Sequence, residues 1–202
     1  MMIDLNNRLV DNDITREELL ENIEIVSTTY NDAPKLTELM AKCFDRPNQM
    51  VALRELVYSD ARLDKSVKVI DKRNGDIYGF LIFSDFKLHI GSPILHLQTR
   101  LGGFLVQFKQ LNGFAFILDE RLRGCGIDKQ MLFHQKEFID EYEFIWAAVE
   151  STLKSHEYWK RLGFKELFSI PEATFYGMFN EKLVPKDIYD ILDELKDENH
   201  YW

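Results

Sequence analysis

Residues 117–132 read ILDERLRGCGIDKQML, and the reading of this stretch decides the fold. It belongs to an apolar run that starts at Asn112, NGFAFILDE, and such a run marks a strand buried on both faces. RLRGCG then makes a basic turn with glycines at 124 and 126. The segment after it, IDKQMLFHQKEFIDEY at 127–142, is predicted to be a helix that turns Met131, Leu132, Phe138 and Ile139 inward. A helix start leaves its first backbone N–H groups unpaired and carries the positive end of the helix dipole. The two glycines let the backbone close around an anion without Cβ collisions. Arg121, Arg123 and Lys129 add positive charge at the turn. Strand, turn and helix together make a place to hold phosphate, although a turn of this kind also arises as plain structure.

Working downstream, FIWAAVE at 144–150 is a second buried strand, and STLKSHEYWKRLGF a helix that Gly163 stops. Strands are expected around 164–169 and 173–180, and Pro185 opens a last helix, KDIYDILDELKDE, with an acidic outer face. Upstream, SVKVID, the turn KRNGD and IYGFLIFSDF predict a hairpin around Asn74-Gly75. Before it, residues 13–22 read as a short helix capped by Asp13, and 23–28 as a strand. Asp32 and Pro34 open a helix through Phe44, and Pro47 opens another through about Tyr58. Residues 92–110 read as helical material interrupted at Gly102-Gly103, a segment suited to a lid.

The 202 residues suit one domain with terminal extensions, and 46% hydrophobic content with 13% aromatics is enough for a real core. The divisions expected are an N-terminal helical extension at 1–22, a central domain at 23–182 and a C-terminal helix at 183–202 packing on it. No apolar run approaches the roughly 18 residues a membrane helix needs, and the acidic, polar N-terminus does not read as a secretory signal. Thirty-four acidic against 25 basic residues leave a formal charge of −9. That argues against nucleic acid as partner and mildly favours a cationic substrate such as an amine, while also serving solubility. Cys43 and Cys125 stand alone, and the five histidines show no paired ligand spacing, so neither a disulfide framework nor a metal site is expected. A reducing cytoplasm fits this pattern.

Residues 117–132 resemble the acetyl-CoA pyrophosphate loop of the GNAT superfamily of N-acetyltransferases. Leu118-Asp119 matches the strand end, Arg123-Gly124-Cys125-Gly126-Ile127 the turn, and Met131-Leu132 the apolar pair of the helix. EYWKRLGF at 157–164 is similar to that family's late helix through Leu162, Gly163 and Phe164. The resemblance is specific over about 112–180 and architectural over 23–90. It implies an α/β (α+β) fold: a mixed, mostly antiparallel central sheet with splayed parallel central strands, flanked by helices.

The resemblance also implies an acyl-CoA-dependent N-acyltransferase that moves acetyl from acetyl-CoA to a primary amine, on a small molecule or a peptide, in a ternary complex. Pantetheine is expected along Phe116, Ile117 and Leu118. The pyrophosphate is expected on the turn formed by Arg123, Gly124, Cys125, Gly126, Ile127, Asp128 and Lys129. Asp128 stands where the family has a small residue, either as an anion near the pyrophosphate or as a capping acid. Trp159 replaces the tyrosine that protonates the leaving thiolate and is expected to wall the acetyl pocket. The family's glutamate positions fall on Asn112 and Ala147, which do not titrate. Glu150, His156 and Tyr158 are the remaining catalytic candidates, each with a plain structural alternative. Other readings are a catalytically silent acyl-CoA-binding module that contacts a partner protein and an unrelated α/β phosphate binder. Oligomerisation is compatible with all of them.

Overall fold

Apolar alternation and glycine turns place the strands of this protein, and amphipathic helices cover them. The computed structural model describes residues 9–10, 12–43, 57–58, 61–85, 100–150, 156–170 and 173–197. The chain divides into two units: residues 1–84 with 113–136, and residues 85–112 with 137–202. Of the helix expected over 47–58 only 57–58 are described, and they are helical; the first part of the 92–110 segment lies outside the described residues.

The first unit begins with α1, Arg16–Asn22. Asp13 is not its cap. Thr15 holds that position in a capping box, its side chain accepting from the Glu18 N–H while the Glu18 carboxylate accepts from the Thr15 N–H. Strand β1, Ile23–Ser27, pairs antiparallel with β2, Val67–Asp71, which pairs antiparallel with β3, Ile77–Ser84. The hairpin turn between β2 and β3 closes as expected at Gly75, φ +78°. Strand β4, Gln110–Leu118, follows β3 in the strand order. Helix α2, Ala33–Cys43, buries Leu36, Leu39 and Met40 against Phe80 and Ile82 of β3 and Ala115 and Ile117 of β4. Each such side chain taken from water contributes about 1.5–3 kcal/mol. Leu9 is buried in the same core, so the segment ahead of α1 is part of this unit.

The helix expected over 127–142 is two helices. α4, Ile127–His134, packs on β1 and β2 and ends where Gln135 leaves helical geometry at φ −108°, ψ 20°. The short α5, Lys136–Ile139, follows. Met131 and Phe138 are buried, whereas Leu132 and Ile139 are only half-buried.

In the second unit β4 supplies Gln110, Leu111 and Asn112, which pair in parallel with Phe144, Ile145 and Trp146 of β5, Phe144–Glu150. Strand β5 pairs antiparallel with β7, Ala173–Phe179, and β7 with β6, Lys165–Ile170. The sheet is therefore mixed and mostly antiparallel with one parallel pair, the class expected. Alternate residues Phe144 and Trp146 of β5, with Phe175 and Phe179 of β7, meet Ile188 and Leu192 of α7, Ile188–Asp197. Helix α3, Arg100–Leu105, carries Gly102 and Gly103 within it rather than breaking there. Leu101 and Leu105, one turn apart, are buried in this core, and that packing outweighs the low helix propensity of glycine. Helix α6, His156–Arg161, ends in a Schellman cap. Gly163 stands at φ +92°, with Phe164 N–H on the Trp159 carbonyl at 3.1 Å and Gly163 N–H on that of Lys160 at 3.0 Å. Among the described residues no helix is long and apolar enough to cross a membrane.

Candidate cofactor site

The turn after β4 is shaped from its first residue by a buried ion pair. Asp119 is fully buried and accepts the Leu9 N–H at 2.8 Å and the Arg121 Nε at 2.9 Å. Arg121, only 8% exposed, spends its other donors on the N-terminal segment: Nη2 on the Val10 carbonyl at 2.9 Å, Nη1 on Asn12 Oδ1 at 2.8 Å and on the Ile14 carbonyl at 3.3 Å. Its guanidinium also lies over the Tyr78 ring. Arg121 therefore does not add free charge to the turn, as its place in RLRGCG suggested. It clasps residues 9–14 to the end of β4. Arg123 folds back, its Nε on the Leu118 carbonyl at 3.2 Å.

Beyond Arg123 the backbone enters the left-handed region twice, at Gly124, φ +73°, and Gly126, φ +77°. A Cβ at either position would meet nothing within 4 Å, so the glycines answer a backbone need and not a packing one. Gly126 caps α4 with no side-chain hydrogen bond, and the first helical bond runs from the Gln130 N–H to the Gly126 carbonyl at 3.1 Å. Among the described residues, the six amides from Gly124 to Lys129 make no well-formed hydrogen bond, residues 123–126 closing only a loose turn. Successive N–H groups in a left-handed turn at a helix start form an anion-binding concavity. Asp128 sits in the first turn of α4, half-buried and without a hydrogen bond or ion pair among the described residues. Its charge favours the helix dipole and opposes an anion on the same amides. Lys129 is exposed, while Phe116, Ile117 and Leu118 are buried at the end of β4.

The catalytic candidates lie in the second unit. Glu150 ends β5 opposite Ala173, and its side chain is outside the described residues. His156 opens α6 with Nδ1 3.0 Å from the hydroxyl of Tyr176. Tyr176 is buried on β7, opposite Ala147 in the register. Burial, reinforced by the charge of Glu166, raises its hydroxyl pKa, so it stays a neutral hydroxyl that donates to or accepts from the imidazole according to the His156 tautomer. Tyr158 is half-buried and meets Trp159 edge to face. Trp159 is 4% exposed, packs edge to face on Phe164 at 4.7 Å, and its buried Nε1–H has no acceptor among the described residues. Asn112 is engaged, its amide donating to the Trp146 carbonyl at 3.3 Å. Tyr176 was not singled out from the sequence; in ATFYGMF it is one aromatic among several, and only the strand register sets it beside His156 and Ala147.

No protein-family model and no curated protein matches the sequence. Solved structures do match in fold. An acetyltransferase of the GNAT family from Listeria monocytogenes superposes with TM-score 0.54 at 14% identity, over 84% of this chain and 100% of that one. The PaiA N-acetyltransferase from Thermoplasma acidophilum, solved with coenzyme A, gives 0.53 at 10% identity over 78% and 99%. Arabidopsis thaliana NAA60, solved with a bisubstrate analogue, gives 0.54 at 14% identity over 78% and 99%. The chain thus has the GNAT N-acetyltransferase fold. At these identities the likeness is one of fold.

Proposed function

We propose that the chain is an acyl-CoA-dependent N-acyltransferase that transfers acetyl from acetyl-CoA to a primary amine. One observation carries the reading: six successive backbone amides, from Gly124 to Lys129, that make no well-formed hydrogen bond among the described residues, at the left-handed glycine turn that starts α4. They suit the two phosphates of coenzyme A, and they stand at the turn that resembles the pyrophosphate loop of the family whose fold the chain has. Arg123 and Lys129 would add charge, and the backbone of Phe116, Ile117 and Leu118 would run beside pantetheine. Acetyl-CoA supplies an activated acyl group whose thioester carbonyl a neutral amine attacks, with coenzyme A leaving as thiolate.

The chain must then accept the amine's proton, because an alkylammonium with pKa around 10.4 is almost wholly protonated at neutral pH. Two acceptors compete. Glu150 at the end of β5 is one. The other is His156, whose Nε2 can take a proton in the tautomer in which Nδ1–H donates to the Tyr176 hydroxyl oxygen. Tyr158 is a third group with a titratable hydroxyl on the same helix. Trp159 has no acidic proton at neutral pH, so the thiolate departs unaided by it, which a thiol with pKa near 8.5 permits. Its indole would serve as a wall that excludes water.

The test is a thermal melt with acetyl-CoA followed by a panel of amines assayed for released thiol. Stabilisation by acetyl-CoA and thiol release with at least one amine class are expected. No stabilisation at millimolar acetyl-CoA would sink the grip. Stabilisation without turnover on any amine would favour the silent acyl-CoA-binding module.

A further inference from the structure

We propose that Arg16, the first residue of α1, is a positioning residue of the cofactor turn: it fixes the Arg123–Gly124 peptide so that the following amides face the pyrophosphate before it arrives. The inference rests on the reading of residues 124–129 as a pyrophosphate cradle. It assigns a function to the N-terminal segment, which the family resemblance leaves unaccounted for.

Arg16 Nη2 donates to the Arg123 carbonyl at 3.2 Å and lies 2.8 Å from Cys125 Sγ. The guanidinium is held there from two directions. The Thr15–Glu18 capping box sets the start of α1, and the clasp of Arg121 on Val10, Asn12 and Ile14 ties the preceding residues to the turn. That clasp is anchored in turn by fully buried Asp119. The anchor, the clasp and Arg16 all belong to the first unit.

Peptide geometry decides what Arg16 does at this position. The Arg123–Gly124 peptide is trans, and in a planar trans peptide the C=O and the next N–H point in opposite directions. With the Arg123 carbonyl turned to Arg16, the Gly124 N–H points away from the guanidinium. Arg16 therefore stands behind the peptide and the anion approaches its other side, so the arginine works as a brace and not as a phosphate ligand. A brace is useful because Gly124 and Gly126 admit many backbone conformations besides the left-handed one that presents these amides together. Fixing that conformation in advance lowers the ordering cost of binding.

Arg16 is exposed, so Arg16→Met should fold like the parent, with an unchanged melting temperature in the absence of ligand. Acetyl-CoA binding by calorimetry should weaken about tenfold, the scale of losing a charge-assisted hydrogen bond. In turnover, KM for acetyl-CoA should rise by the same factor while kcat stays at the parent value. The loss should persist at about 0.5 M salt, where long-range Coulomb attraction is screened. Arg16→Lys, which keeps the charge without the planar fork, should recover little of it. Parent-like affinity in Arg16→Met, a loss that disappears in salt, or full rescue by lysine would each overturn the bracing function. If the parent itself binds no acetyl-CoA, the cradle reading fails and this inference with it; if the parent binds and Arg16→Met binds equally, only the inference fails.

Discussion

Gly126→Val is the sharpest test of the turn, because its two consequences can be worked out separately. Gly126 stands at φ +77°, ψ 8°, a region that costs an L-residue about 1–2 kcal/mol and a β-branched one more. A Cβ there meets nothing within 4 Å, so no clash adds to the strain. For a chain of this size each kcal/mol moves the melting temperature by about 2–4 °C, so the ligand-free variant should melt about 2–8 °C below the parent. Acetyl-CoA at about 100 times its Kd stabilises the parent by about 2.7 kcal/mol, a rise of roughly 5–11 °C on the same scale. In the variant the valine methyls take the open space beside the amides, and that rise should vanish. Gly126→Asn separates the causes, because asparagine tolerates left-handed backbone and should keep most of the ligand-free stability. The assay is a thermal melt of the three proteins with and without acetyl-CoA. A ligand-induced rise in Gly126→Val equal to that of the parent would refute the cradle.

Four further outcomes are expected. Burial pushes the Cys43 thiol up to about 11, whereas Cys125 is partly exposed in the turn, so iodoacetamide at pH 8 should label Cys125 alone and acetyl-CoA should slow the labelling, read by peptide mass. Arg121→Gln leaves buried Asp119 without its ion-pair partner and should cost about 3 kcal/mol in a denaturant melt, with the N-terminal segment becoming protease-sensitive. Trp159→Phe removes a buried N–H that has no acceptor among the described residues, so melting temperature and turnover should stay near the parent, whereas Trp159→Ala should lose about 3–5 kcal/mol; a hundredfold drop in turnover of folded Trp159→Phe would show that the indole N–H takes part in the chemistry. Glu150→Gln and His156→Gln, compared across pH 6–9, assign the proton acceptor: its loss should lower kcat by about 10²–10³ with little change in acetyl-CoA affinity, and parent-like turnover returns that residue to a structural function.

Much of the fold was legible locally, because the signals that carry it act over a few residues. Period-two burial on β2, the Asn74-Gly75 turn, the uninterrupted apolar run of β4 and the Gly163 cap all follow from backbone geometry and hydrophobic spacing. So does the glycine turn at 124–126, whose left-handed backbone only glycine adopts freely. Where local reading went astray, packing decided. Gly102-Gly103 stayed helical because Leu101 and Leu105 are buried together, and the long helix after the turn broke at Gln135. Residues far apart in the chain were beyond any local signal. Arg121 looks like a phosphate-binding arginine in RLRGCG. Its identity as a buried clasp depends on Asp119 and on carbonyls more than a hundred residues upstream. The pairing of His156 with Tyr176 needs the β5–β7 register, and the reach of Arg16 to the Arg123 carbonyl spans 107 positions. The sequence by itself determined which segments could form a strand, a turn or an anion-binding helix start. Only the tertiary structure decided which charges remain at that start, because a charged side chain is committed by the partners that reach it, and those are brought together by folding and not by order along the chain.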